Sequence, residues 1–141
     1  MAYLFEGQPG PAIAVPPGAT DTHMHIYEPG HAMAPDATIP PLDDARIDDY
    51  RILQARLGLE RVVVVQPSTY GKDNTCTMEA VAAMGADARA VVVVDALAGD
   101  DELAALTKAG ARGIRFHMLP GGALPWEVVP ELSARAAEHG W

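Results

Sequence analysis

Two runs of valine dominate the hydrophobic pattern of the chain. Residues 61–66 hold four consecutive valines before Pro67, and residues 90–95 hold four more. Unbroken β-branched runs are typical of parallel strands that are buried on both faces. Two further short strands are predicted over residues 20–26 and 112–117, where apolar and polar side chains alternate. The pattern therefore predicts four strands.

Each predicted strand is followed by a segment with the spacing of an amphipathic helix. Apolar residues recur every three or four positions, and Gly58 and Gly110 mark the ends of two of these segments. The side chains of Asn74 and Asp100 favour the N-cap position, so we expect them to begin the second and third helices. The helices are predicted over residues 42–57, 74–84, 100–109 and 130–139.

A strand followed by a helix, repeated four times, predicts an α/β fold with a parallel sheet and right-handed crossovers. Four such (β/α) units form either an open doubly wound sheet or the N-terminal half of a TIM (β/α)8 barrel, which usually takes about 250 residues. Residues 1–18, rich in glycine and proline from residue 7 onwards, are expected to form an extended N-terminal arm. The (β/α) units then occupy residues 19–141.

Two histidines lie in the carboxyl-terminal half of the first predicted strand. Because side chains alternate along a strand, Asp21, His23 and His25 are expected to share one face. Two imidazoles at this spacing can bind one divalent ion, and the carboxyl ends of parallel strands are where α/β folds place their sites. We therefore predict that His23 and His25 are catalytic and can serve as metal ligands. The alternative is two inert histidines, each held by a hydrogen bond.

The segment Asp21-Thr22-His23-Met24-His25 resembles the Asp-x-His-x-His opening of the amidohydrolase superfamily. Three more segments are similar to the branch that contains 2-pyrone-4,6-dicarboxylate hydrolase, sulfomuconolactone hydrolase and galactarolactone isomerase, and Leu119-Pro120-Gly121-Gly122-Ala123 looks most like the last of these. Those segments are residues 60–71, 73–74 and 111–116. The resemblance implies a TIM barrel that hydrolyses or rearranges a carboxylated lactone.

The resemblance also implies which parts of the machinery lie elsewhere. In that family a further histidine and a general-base aspartate follow later strands, beyond the position of residue 141. The chain is therefore expected to be an N-terminal half that is inactive alone. Members of the family differ in metal use, so the histidines either hold one zinc-like divalent ion or polarise the lactone carbonyl without a metal, as hydrogen-bond donors.

The fourth predicted strand supplies a second pair of candidates. Alternation places Arg115 and His117 on one face, with Ile114 and Phe116 on the other. A guanidinium group can grip a substrate carboxylate in bidentate geometry, whereas the structural alternative for Arg115 is an ion pair with Asp95 or Asp21. We predict that Arg115 and His117 bind substrate, although His117 could merely line the rim.

Hydroxyl groups follow the second strand. Ser68 and Tyr70 lie in a loop between a strand and a helix, where TIM barrels bind ligands, although Pro-Ser-Thr-Tyr-Gly is also ordinary turn chemistry. Because of the family resemblance, we predict that both contact substrate.

Charge and cysteine content narrow the partners. The 141-residue chain has a formal net charge of −9 with 10 lysines and arginines, which disfavours nucleic acid as a partner. No apolar run approaches the roughly 20 residues of a membrane span, and the opening residues lack the features of a signal peptide, so no membrane or export is expected. Cys76 is the only cysteine, which fits a cytoplasmic protein.

Two other functions stay open. PHP-type metal-dependent phosphoesterases also begin with His-x-His on a first strand. Alternatively, the chain is a non-catalytic half-barrel that binds a ligand or forms a homo-oligomer, because a cut barrel exposes apolar strand edges.

Overall fold

The computed structural model describes residues 8–141, which form four strands, four helices and two short 3-10 helices. The strands are β1 (Thr20–Met24), β2 (Arg61–Val65), β3 (Ala88–Val92) and β4 (Ala111–Ile114), and the helices are α1 (Ile47–Leu57), α2 (Thr75–Met84), α3 (Asp100–Ala109) and α4 (Val129–Glu138). The 3-10 helices are Ser68–Tyr70 and Trp126–Val128.

The strands form one sheet in the order β1-β2-β3-β4, and every neighbouring pair is parallel. Each strand is followed by a helix along the chain, so the predicted α/β fold of four (β/α) units is confirmed. Within residues 8–141 the outer edges of β1 and β4 pair with no further strand. None of the helices in this part of the chain is long and apolar enough to cross a membrane.

The core lies on one face of the sheet. Val64 of β2 and Val92 of β3 are fully buried in one cluster with Leu103 and Leu132 from α3 and α4. Val63, which alternates with the buried valines of β2, is only partly buried. The valine run predicted a strand buried on both faces, and within the described residues one face is covered more completely than the other.

The first helix begins later than its spacing predicted. α1 begins at Ile47, whereas the prediction began it at residue 42. The carboxylate of Glu28 accepts a hydrogen bond from the backbone N–H of Ile47 (2.9 Å), and that of Asp49 accepts one from Arg46 (3.0 Å). These side chains satisfy donors that a helix leaves free at its start. The long loop after β1 therefore continues up to this point.

The predicted N-cap position is confirmed for Asn74 but not for Asp100, and neither side chain makes a capping hydrogen bond. The carboxylate of Asp73 caps α2, because it accepts hydrogen bonds from the backbone N–H (3.0 Å) and the hydroxyl (2.6 Å) of Thr75. Asn74 occupies the N-cap position, but its side chain makes no capping hydrogen bond. Asp100 is the first residue of α3, and Gly99 occupies the N-cap position.

The predicted N-terminal arm is described only in part. Residues 1–7 lie outside the described residues, and residues 8–18 contain no helix or strand. Arg56 of α1 donates hydrogen bonds to the backbone carbonyls of Gln8 (2.8 Å) and Pro9 (2.6 Å). The domain boundary between residues 18 and 19 stays a prediction.

Candidate active site

His23 and His25 lie side by side at the carboxyl end of β1. Their ring centroids are 5.1 Å apart and the rings are nearly perpendicular, at 79°. His23 is exposed and His25 is half-buried. The predicted adjacency of the two imidazoles is therefore present, at the end of the sheet where TIM barrels build their sites.

Asp21 makes its hydrogen bonds with the backbone of β1 and with α1, rather than with the two imidazole rings. In the pairing of β1 with β2, Asp21 lies opposite Val62 and Met24 opposite Val64, so β1 holds one extra residue between these positions. Such a bulge interrupts the alternation of side chains. Oδ1 of Asp21 accepts a hydrogen bond from the backbone N–H of His23 (3.0 Å), and its Oδ2 accepts one from the hydroxyl of Tyr50 on α1 (3.2 Å). The acid of the motif thus ties β1 to the helix layer.

A backbone carbonyl fixes the proton of His25. Its Nδ1 lies 2.7 Å from the carbonyl oxygen of Val65 at the end of β2. Because a carbonyl only accepts, Nδ1 carries the proton and Nε2 of the neutral ring carries the lone pair. Burial lowers the pKa of His25, and nearby Arg115, His23 and His117 lower it further, whereas the bond to Val65 opposes the shift. His25 is therefore neutral, with Nε2 free to accept a proton or bind a metal.

The backbone carbonyl of Gln66, the residue after β2, orients Arg115, as the carbonyl of Val65 orients His25. Its Nη1 donates to the backbone carbonyl of Gln66 (2.5 Å), and its Nη2 lies 3.1 Å from Nδ1 of His117. No carboxylate among residues 8–141 forms an ion pair with Arg115. Both predicted structural partners are engaged elsewhere, because Asp95 pairs with Lys72 and Asp21 binds Tyr50. The ion-pair alternative for Arg115 is therefore wrong.

His117 has the opposite tautomer to His25. A guanidinium only donates, so Nδ1 of His117 accepts and Nε2 carries the proton. The loop that follows folds back tightly, since a side chain at Gly122 would place its Cβ 1.8 Å from the His117 carbonyl oxygen. Glycine is therefore required at that position.

The hydroxyl-bearing loop after β2 lies differently from its prediction. Ser68 and Tyr70 belong to a 3-10 helix, where Ser68 is half-buried. Tyr70 is 2% exposed, its ring lies 5.9 Å from those of Tyr27 and His31, and its hydroxyl lies beside the thiol of Cys76. Burial raises the pKa of Tyr70. Substrate contact by Ser68 and Tyr70 stays a prediction. For Tyr70 it requires that the residues covering its side chain move apart.

Gln66 and Asn74, which the sequence did not single out as site residues, stabilise the backbone around the site. Gln66 is fully buried at the end of the valine run. Its side chain donates to the backbone carbonyls of Gly71 (3.2 Å) and Asp73 (2.8 Å) and accepts a hydrogen bond from Thr77 (2.5 Å). An amide side chain that ends an apolar strand is the signal that could have found it, because a buried amide must be hydrogen-bonded. The sequence predicts Asn74 only as a helix cap.

A metal ion would find two ligands in this cluster. His25 fits the role, because metal-binding histidines commonly donate their second N–H to a carbonyl oxygen. The described residues contain no group of three or more His, Cys, Asp or Glu side chains that could hold an ion. A tightly bound ion would therefore need a ligand from outside residues 8–141.

Comparison with known proteins determines the family. A family model described as amidohydrolase matches residues 20–141, which is most of the chain. The chain belongs to the amidohydrolase family. This amidohydrolase chain is 39% identical over 132 residues to D-galactarolactone isomerase of Agrobacterium fabrum, covering 93% of this chain and 45% of that protein. It is 35% identical over 135 residues to 2-pyrone-4,6-dicarboxylate hydrolase of Comamonas testosteroni, covering 93% and 44%.

The fold agrees with this assignment. A crystal structure of an Agrobacterium tumefaciens protein without ligand matches with a TM-score of 0.89 at 38% identity, covering 94% of this chain and 47% of that one. The predicted resemblance to the lactone-processing branch is confirmed, and the four units correspond to the N-terminal half of a TIM barrel. The amidohydrolase chain spans about half the length of the relatives it matches.

Proposed function

We propose that this amidohydrolase chain contributes one half of an active site that hydrolyses or isomerises a lactone carrying carboxylate groups. The proposal rests on Arg115, a half-buried guanidinium with no carboxylate partner among residues 8–141, which lies near the neutral His25. The names of two relatives support it, since galactarolactone and 2-pyrone-4,6-dicarboxylate are both lactones that carry carboxylate.

Arg115 would bind the substrate carboxylate. Only one N–H of each Nη is engaged, by Gln66 and by His117, and a guanidinium has five donors in a planar fork. The remaining donors can bind a carboxylate in a charge-assisted hydrogen bond. Since both anchors hold the guanidinium, the carboxylate would be oriented as well as bound.

The two histidines have different tautomers, so one can accept a proton and the other can donate one. His25 cannot polarise the lactone carbonyl as a donor, because its only proton is bound to the carbonyl of Val65. Its Nε2 can accept a proton from a hydroxyl group or from water. His117 has the complementary arrangement, and its Nε2–H can donate to a developing oxyanion. We therefore assign acceptor chemistry to His25 and donor chemistry to His117.

As the alternative to proton acceptance by Nε2 of His25, we propose that His23 and His25 bind a single zinc-like ion together with a ligand from outside residues 8–141. When bound, such an ion would polarise the lactone carbonyl as a Lewis acid. Elemental analysis of the purified protein tests this, with about one ion per chain expected. Full turnover without metal would establish a metal-independent site. Two or three ions together with phosphatase activity would favour a PHP-type phosphoesterase instead, although the amidohydrolase match favours the lactone reaction.

Turnover of D-galactarolactone and 2-pyrone-4,6-dicarboxylate by variants tests the proposed function. His25→Ala should lower kcat/KM by at least about a hundredfold, because it removes the acceptor nitrogen. His139→Ala is the matched control, since His139 follows α4 and its ring contacts Trp141 rather than the site. The comparison is made with the rest of the barrel present, in a preparation whose wild-type form turns over lactone, and there equal rates for wild type and His25→Ala would overturn the proposal.

Assembly and location are further parts of the proposal. Four more strands beside the open edges of β1 and β4 would close the barrel, from further chain or from a second copy in a homo-oligomer. Sedimentation equilibrium would distinguish a monomer from a dimer. A cytoplasmic location is supported by the buried, unpaired thiol of Cys76, and cell fractionation would test it.

A further inference from the structure

We propose that Asn74 is a positioning residue for Arg115, because its side chain binds the backbone N–H of Val93 and so leaves the carbonyl of Gln66 to the guanidinium. This inference rests on the proposed role of Arg115 as the carboxylate-binding group. Neither the family match nor the names of the relatives assign a role to Asn74.

The hydrogen-bond pattern of a parallel sheet shows what Asn74 replaces. The backbone N–H of Gln66 donates to the carbonyl of Val91 on β3 (2.8 Å). In a regular parallel ladder the next bond would run from the N–H of Val93 back to the carbonyl of Gln66. That bond is not made, because the N–H of Val93 donates to Oδ1 of Asn74 (2.9 Å). The ladder between β2 and β3 therefore ends one bond early.

The carboxamide of Asn74 satisfies both backbone groups of Val93. Its Nδ2 donates to the Val93 carbonyl (2.7 Å), while its Oδ1 accepts from the N–H. Val93 is 6% exposed, and a buried N–H without a partner is strongly disfavoured. If Asn74 were absent, the carbonyl of Gln66 would be the natural acceptor for this N–H.

Arg115 occupies the position that the ladder leaves open. Its Nη1 donates to the carbonyl of Gln66 at 2.5 Å. Val93 would otherwise share this carbonyl oxygen with Arg115, and Asn74, by binding the N–H of Val93, leaves it to Arg115 alone. The guanidinium is kept at the carboxyl end of β2, near His25.

The segment that carries Asn74 is itself fixed by Gln66. The side chain of Gln66 donates to the carbonyl of Asp73, the residue just before Asn74 (2.8 Å), and Thr77 of α2 donates to the same side chain (2.5 Å). One residue thus holds Asn74 through its side chain and Arg115 through its backbone. This linkage explains why an amide ends a run of valines.

A double-mutant cycle tests whether Asn74 acts through Arg115. Asn74→Ala should raise KM for 2-pyrone-4,6-dicarboxylate about tenfold, with a smaller change in kcat, because the carboxylate anchor is lost. In an Arg115→Gln background, Asn74→Ala should add no further change. Asp73→Ala is the matched control, since it removes the cap of α2 next door without touching Val93. Equal effects of Asn74→Ala in both backgrounds, or equal effects of Asn74→Ala and Asp73→Ala, would overturn the inference.

A measurement without substrate separates this inference from the proposed function. In the ligand-free protein, NMR signals of the Arg115 guanidinium should change in Asn74→Ala and stay unchanged in Asp73→Ala. If no lactone is turned over but these signals respond, the proposed function fails while the positioning by Asn74 stands. Unchanged Arg115 signals in Asn74→Ala would overturn the positioning whatever the enzyme does.

Discussion

At the amino end of the sheet, arginines bind backbone carbonyls just as Arg115 does at the carboxyl end, but no histidine contacts them among the described residues. Arg89 near the start of β3 donates to the carbonyls of Ala86 and Ala88, and Arg112 near the start of β4 donates to those of Thr107 and Ala111. Each of these bonds closes the turn that leads into the strand. Such contacts stabilise the fold locally, as expected at this end of a TIM barrel.

The carboxyl-end arginine binds a carbonyl 49 residues away in the sequence and also contacts a histidine. Its anchor is Gln66, the residue after Val65, so two consecutive carbonyls at the carboxyl end of β2 orient His25, which follows β1, and Arg115, which follows β4. A cation that only closed a turn would need neither connection. Arg56 and Arg61 also bind carbonyls 48 and 43 residues away, so the comparison teaches that the neighbouring histidines, rather than the hydrogen bond to a distant carbonyl, make Arg115 the candidate site residue.

The largest effect on the contrast between the two ends of the sheet is expected from a substitution in the loop after β4. Gly122→Ala should destabilise the protein by about 1–3 kcal/mol, as overpacking does, and should lower turnover, because the new Cβ would displace the backbone of His117. Gly99→Ala is the control, since a Cβ at Gly99 meets nothing within 4 Å. Chemical denaturation and lactone turnover would check both variants, and a tolerated Gly122→Ala would contradict the described loop.

A smaller effect concerns protonation of His25. Because its pKa is lowered in the folded protein, the unfolded chain binds this proton first as the pH falls below the ordinary value of 6.5. Stability should therefore decrease on acidification through this range, and His25 should stay neutral at pH 6.5. NMR titration of the metal-free protein would measure it. A midpoint for His25 at or above 6.5 would contradict its burial.

The smallest effect is expected at the amino end. Arg89→Gln should cost less than about 1 kcal/mol, because it removes only exposed hydrogen bonds to a turn, and lactone turnover should not change. Denaturation midpoints and kcat/KM provide the two measurements. A large loss of turnover would mean that the two ends of the sheet are not functionally distinct.

The repeated strands and helices were predictable because they depend on local patterns. The valine runs predicted β2 closely and β3 two to three residues too late, since β3 is Ala88–Val92 rather than residues 90–95, and the helical spacing predicted the four helices that follow the strands. The adjacency of His23 and His25 was predictable too, and it is present although the register of β1 shifts between Asp21 and Met24. Side-chain alternation alone carried that part of the site.

What the sequence could not predict depends on partners distant in the chain. The register shift in β1 is a property of how this strand pairs with β2, and the hydrogen bond between Asp21 and Tyr50 depends on how it packs against α1. Asparagine is a residue type that favours helix caps, yet the side chain of Asn74 makes its hydrogen bonds with the backbone of Val93, just after β3. Local propensity describes what a residue can do, and tertiary contacts decide which option is used.

The most direct measurement is calorimetric binding of 2-pyrone-4,6-dicarboxylate to the wild-type protein and to two variants. Arg115→Gln should weaken binding by about a hundredfold, because a charge-assisted contact with a carboxylate is lost. Arg112→Gln, on the same strand but bound to the preceding turn, should bind as the wild type does. Equal weakening by both substitutions, or by neither, would contradict the assignment of Arg115 as the carboxylate-binding group.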